Sequence, residues 1–193
     1  MMEMIGPKPR WQYRKIELLN ELNRDITEEA EKQGWHLSRS YAGDMSDLDR
    51  DCDPMNVHGW IQNQLDCVEE NLAEMTEEIL NQNPDAMKIL KDTSYRFGYR
   101  HAEDLTDAVS AYQLLDDVLL NGMPCDDVNE ITEQSSDKVS WYEKQDMHAK
   151  YWQKENNYRE LRNAVTAGLL AKAPVTYSYD DNHQSIVRNQ ASL

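Results

Sequence analysis

Apolar residues recur at three- and four-residue steps through most of this chain, a spacing that predicts helices rather than strands. Ile16, Leu19, Leu22, Ile26 and Ala30 line one side of a helix from about Trp11 to Gln33, and Gly34 suits a left-handed C-terminal cap. The cleanest stripe follows on a helix from about His58 to Gln82. There Ile61, Leu65, Val68, Leu72, Met75 and Ile79 alternate steps of four and three, a heptad seam. Burying six such side chains supplies roughly 1.5–3 kcal/mol each before chain entropy is charged. Neighbouring segments offer partner stripes, so the seam reads as core-facing rather than as an isolated coiled coil. Residues 35 to 55 between the two helices are rich in Asp, Ser and Gly and read as loop.

A third helical region opens at Asn83-Pro84, with Asn as cap and Pro at the first helical position, and meets Gly98. From Ala102 the pattern resumes with Leu105, Val109, Tyr112, Leu115 and Leu119 on one side and Leu114 and Val118 on another. Two apolar faces place this helix centrally, and Asn121-Gly122 with Pro124 ends it. A short helix is predicted at Asp126 or Asp127 and a long one from near Ser136 to about Lys172. The long one is aromatic early (Trp141, Tyr142, Tyr151, Trp152, Tyr158) and aliphatic late (Leu161, Val165, Leu169), and Pro174 stops it. Beyond it only Val175, Tyr177 and Tyr179 alternate. Residues 174–193 are expected to be a disordered tail, with a strand-like clip onto a partner as the other reading. The expectation is an all-α protein: a bundle of about five helices within residues 1–173, an acidic central segment, and a flexible C-terminal tail.

Composition supports one modest core. At 193 residues the chain can bury roughly 70% of its unfolded surface without a metal or disulfide staple. Only 7 Gly and 6 Pro argue against a turn-dense sandwich or barrel. The mean hydropathy of -0.85 implies a wide polar surface. Cys52, Cys67 and Cys125 are odd in number and lack C-x-x-C spacing, so reduced thiols and a cytoplasmic location are expected. No signal-peptide core and no run near 18 apolar residues is visible, so no membrane association is expected.

Charge changes the picture more. The net charge is -16, yet residues 43 to 136 hold 22 acids and 5 bases (-17), whereas the remainder holds 14 acids and 15 bases (+1). One acidic block in a near-neutral chain favours basic protein surfaces or cations and repels nucleic acid and anionic membrane.

Within that block, Asp44, Asp47, Asp49, Asp51 and Asp53 have the alternate spacing of a calcium loop. Counting from Asp47, however, Cys52 stands where the turn needs Gly, and His58 where the loop needs a bidentate Glu. A solvated acidic loop is the simpler reading. The seam helix carries Asp66, Glu69, Glu70, Glu74, Glu77 and Glu78, and Glu103, Asp104 and Asp107 follow. Carboxylates three or four apart on two helices can bracket a divalent metal that holds nucleotide phosphates. The segment EDLTDAVSAYQLL resembles the second motif of the all-α, MazG-like nucleotide pyrophosphohydrolases, whose pattern is E-x-x-E, a spacer, then E-x-x-D. Glu74 and Glu77 match the first pair, and Asp104 and Asp107 match the second with Asp replacing Glu. Over about 50 residues, the resemblance implies magnesium held by those four carboxylates, hydrolysis of nucleoside triphosphates, and a homo-oligomer. The helical wheel opposes it: Asp66, Glu70, Glu74 and Glu77 project roughly 140° or more from the centre of the seam. Only Glu69 and Glu78 flank the seam.

Other candidates have simpler explanations. Asp116 falls on an apolar stripe and calls for a cationic or hydrogen-bonding partner from another helix, or its pKa rises. Tyr95-Arg96-Phe97-Gly98-Tyr99-Arg100-His101 interleaves aromatics with cations, suited to a base or phosphate, or to pairing with nearby carboxylates. Trp141, Tyr142, Tyr151 and Trp152 suit an interface or a core. No Gly-rich phosphate loop, H-E-x-x-H or Ser-His-Asp spacing occurs.

The preferred expectation is therefore a non-enzymatic acidic binding protein without a cofactor. Asp66, Glu70, Glu74, Glu77, Glu103, Asp104 and Asp107 would meet a basic surface of a partner, such as a nucleic-acid-binding protein, in the manner of a DNA-mimic inhibitor. The magnesium-dependent pyrophosphohydrolase using Glu74, Glu77, Asp104 and Asp107 is the alternative.

Overall fold

A computed structural model describes residues 5–190. Helix α1 (Pro7–Gln33) is followed by the short α2 (Leu48–Asp51) and by α3 (Val57–Gln82). A 3-10 turn (Pro84–Ala86) leads into α4 (Met87–Arg100), and α5 (Ala108–Val118) follows. After a second 3-10 turn (Pro124–Asp126) come strands β1 (Asn129–Gln134) and β2 (Lys138–Glu143), helix α6 (Glu155–Leu169), then β3 (Val175–Asp180) and β4 (His183–Arg188). All strand pairs are antiparallel, in the order β1-β2-β4-β3.

The expectation of an all-α bundle is thus corrected: the fold mixes six helices with a four-stranded antiparallel sheet. The helix expected from Ser136 to Lys172 is in fact β2, an irregular segment and α6. The tail expected to be flexible forms β3 and β4; its last three residues, 191–193, lie outside the described residues. The physical reason is cross-strand burial. Val139 pairs with Ile186 and Trp141 with Gln184, while Tyr177 pairs with Ile186 from the other side. These side chains share one face, and Val139, Trp141 and Ile186 are buried. Trp141 meets Tyr112 of α5 edge-on at 4.9 Å, which seats the sheet on that helix. Because β2 pairs with β4, the sheet joins residues on both sides of position 173.

The long stripes behave as their spacing predicts. Every residue of the α3 seam is buried, as are Ile16, Leu22, Ile26 and Ala30 of α1, and α1 packs along α3. Gly34 caps α1 at φ 72°, its N–H donating to Glu31 O and that of Trp35 to Ala30 O. Gly98 does not break the helix but lies inside α4, at its crossing with α6. A Cβ there would sit 2.2 Å from Val165 O, and one on Gly168 of α6 would sit 2.2 Å from Tyr95 O. Two glycines facing each other let the backbones touch.

Candidate functional site

The outer stripe of α3 is held between two surface segments. From one side, Arg39 pairs with Glu74 at 2.7 Å, while Ser38 N–H, Ser38 Oγ and Tyr41 Oη all donate to Glu78. From the other, Lys150 pairs with Asp66 at 2.9 Å, Tyr151 Oη donates to the same carboxylate, and Gln153 N–H donates to Glu77 at 2.8 Å. Burial pulls the Asp66 pKa up, but the hydrogen bonds from Tyr151 and Lys150 outweigh it and hold the carboxyl below its ordinary range. The short stripe therefore has a bracing role: it docks residues 38–41 and 150–153 onto a helix whose inner face is apolar but for Glu69 and Thr76.

Of the seven expected contact residues, Glu70, Glu103 and Asp104 are exposed and make no hydrogen bond or ion pair among the described residues. Asp107 is the N-cap of α5, accepting from Ser110 N–H and Oγ at 2.8 Å each; those bonds lower its pKa. Residues 102–106 form no helix, so Asp104 and Asp107 do not occupy a helical E-x-x-D face opposite Glu74 and Glu77. Among the described residues no three His, Cys, Asp or Glu side chains gather where they could hold a metal ion.

The Asp44–Asp53 loop is also occupied by local work. Asp47 caps α2, Asp49 pairs with Arg10, Asp51 accepts from Asp47 N–H and Arg50, and Asp53 accepts from Met55 N–H. The basic island of α4 pairs inward: Arg96 with Glu29 at 3.1 Å, Arg100 with Asp25 at 2.7 Å, and both Arg100 and His101 with Glu21. Of the aromatic candidates, Trp141 and Trp152 are buried and Tyr142 is exposed, its ring tilted against that of His183 at 4.6 Å.

One polar cluster was not singled out by its residue spacing. Glu69 and His148 are 2% and 5% exposed, and Glu69 Oε1 lies 3.1 Å from His148 Nδ1, close enough for an ion pair but without hydrogen-bond alignment. Tyr158 stacks on the His148 ring at 4.0 Å, and its hydroxyl accepts from Arg162 Nη1, which also donates to Leu120 O at 2.8 Å. Burial drives the Tyr158 pKa well up, so the phenol stays neutral. Glu69, Tyr158 and Arg162 line a cavity of about 40 Å³ walled otherwise by leucine, valine and phenylalanine. The position of Glu69 beside the seam was the one visible signal; His148 lies in an irregular segment with no periodicity to mark it.

No helix among the described residues is long and apolar enough to cross a membrane. No protein-family model, curated protein or solved structure matches this chain.

Proposed function

We propose that this is a non-enzymatic binding protein that presents its acidic block to a basic surface of a partner, with a nucleic-acid-binding protein as the partner class. The observation that carries the reading is the charge of -17 between residues 43 and 136, with Glu70, Glu103 and Asp104 exposed and unpaired among the described residues. Glu74 and Asp66 add to this surface, because their partners Arg39 and Lys150 are roughly half exposed. Surface pairs of this kind are worth about 0–1 kcal/mol, so an incoming cluster of Arg and Lys can replace them. Glu77 and Asp107 serve the fold instead, one binding Gln153 N–H and the other capping α5.

No observation favours magnesium-dependent pyrophosphohydrolase activity over this reading. Glu74, Glu77 and Asp107 already have Arg39, Gln153 N–H and the start of α5 as partners. The test is capture of partners on the immobilised protein followed by elution in rising salt, with duplex DNA as competitor. Partners should elute as screening shortens to about 3 Å near 1 M salt, and DNA should compete. A Glu70→Lys, Asp104→Lys variant should capture less. Capture that survives high salt and ignores DNA would overturn the electrostatic basis of the reading.

A further inference from the structure

A cleft of about 230 Å³ opens where α1 and α5 meet residues 121–129, lined by Gln12, Lys15, Tyr112, Asp116, Asn121 and Asn129 among others. Its floor holds an unusual side chain. Lys15 is 4% exposed, and among the described residues no hydrogen bond and no carboxylate within 4.0 Å reaches Nζ. The Trp11 ring lies 4.3 Å from Nζ, and the indole N–H is itself engaged with Asp117 at 2.7 Å. Asp116 attracts the ammonium only from beyond ion-pair distance, and burial dominates, lowering the Lys15 pKa to about 8. At pH 7.5 about a quarter of such amines are neutral, against about one in a thousand for an ordinary lysine. A desolvated amine facing a cleft is the form in which lysine acts as a nucleophile.

The rest of the lining indicates what the amine would meet. Asp116 and Asp127 both border the cleft, a field that disfavours an anionic ligand. Gln12 donates to Gly122 O at 2.9 Å, Asn121 to Asn129 Oδ1 at 3.1 Å, and Asn129 to Tyr112 Oη at 3.4 Å. Among the described residues, Gln12 Oε1 and both Asp116 oxygens accept no hydrogen bond. Acceptors left open on a polar wall suit hydroxyl groups.

We propose that this cleft binds a small, neutral, hydroxylated aldehyde or ketone, which Lys15 captures through its amine as a Schiff base. The Nζ–carbon bond forms as the carbonyl π bond breaks and the oxygen takes a proton. The second amine proton then leaves with that hydroxyl as water, so the net change is amine plus carbonyl to imine plus water. Asp116 accepts a ligand hydroxyl and positions the carbonyl carbon over Nζ.

The test uses the full chain and two probes, neutral glyceraldehyde and anionic glyoxylate, each with cyanoborohydride, which delivers hydride to the imine and fixes it as a secondary amine. Peptide mass spectrometry then locates the adducts. Glyceraldehyde should label Lys15 about tenfold or more over any other lysine at limiting reagent, with labelling rising through about pH 8. Glyoxylate should show no such preference, and Asp116→Asn should reduce the glyceraldehyde preference at Lys15. Adducts spread over surface lysines with Lys15 unlabelled would overturn the site. Equal preference for glyoxylate would overturn the neutral ligand class. The unmodified chain decides both points, so a variant that fails to fold leaves the test intact.

Discussion

Replacing Lys15 with Met separates an ammonium that the fold tolerates from one that it uses for stability. Met keeps the unbranched stem against Trp11 and removes the charge. The folded-state pKa of about 8 lies below the ordinary lysine value of 10.5, so between those values the unfolded chain holds the extra proton. The penalty is therefore fully present below about pH 8 and is relieved as pH rises toward 10.5. A difference of about 2.5 units at roughly 1.36 kcal/mol each gives about 3 kcal/mol, already net of the attraction to Asp116. The lost contact with the Trp11 face offsets roughly 0.5–2 kcal/mol of that. Lys15→Met should therefore be more stable than the parent by about 1–3 kcal/mol at pH 7, and the two should converge near pH 10 and above. Urea titrations of both proteins across this range measure the difference, in which the titration of other groups largely cancels. A Met variant less stable at pH 7, or a difference that does not change with pH, would refute the reasoning and show that the ammonium has a strong favourable partner.

Four further outcomes are expected. Gly168→Ala should destabilise by about 3 kcal/mol, seen as a lower urea midpoint, because the new Cβ would meet Tyr95 O at 2.2 Å and neither backbone can yield alone. Glu69→Leu should lose about 2 kcal/mol by stranding His148 in the core, and His148→Phe in the same chain should recover part of it, a coupling that a double-mutant cycle measures. Acid should destabilise the parent partly through Glu21, whose carboxyl burial would raise but which hydrogen bonds from Arg100 and His101 hold low. That contribution is present above the unfolded carboxylate pKa, roughly 4, and is lost as pH falls through the lower folded value, so Glu21→Gln should show a shallower acid limb. A chain ending at Ala173 should lack a cooperative melt and bind a hydrophobic dye, because it uncovers the edge of β2 beside Val139 and Trp141.

The helical part of this fold was readable because α1 and α3 carry stripes long enough to average out local noise, and both ends of α3 fall within a residue of the periodic limits. The sheet was not, and the reason is length and distance. Each strand has six residues, and β2 finds β4 some forty residues further on, so no local window contains both halves of the pairing. Their spacing places Trp141 and Tyr142 at the aromatic start of a long helix, whereas in β2 they point to opposite sides, one buried and one exposed. The turn between β3 and β4 also lacks glycine: Asp181 takes φ 55° there, a conformation that Asp tolerates but does not advertise. The cleft had a trace in the pattern, since Lys15 sits four residues before Leu19 on the α1 stripe, where an apolar residue belongs. Asp116 signalled the same cleft from α5; among the described residues it has no hydrogen-bond or ion-pair partner, and burial raises its pKa despite the field of this lysine.

The position of β4 has a consequence for the nascent chain. Of the four described strands it is the last to be synthesised, yet it lies inside the sheet, between β2 and β3. The β1-β2 hairpin and α6 therefore leave the ribosome before the strand that completes them, with the inner edge of β2 unsatisfied until residues 183–188 have followed. During that interval this edge can pair with any extended segment nearby, including the same edge of another nascent copy. Slow codons between β2 and β4 would lengthen the exposure, so the yield of folded protein should depend on the pace of translation over residues 144–188 more than over the long acidic middle.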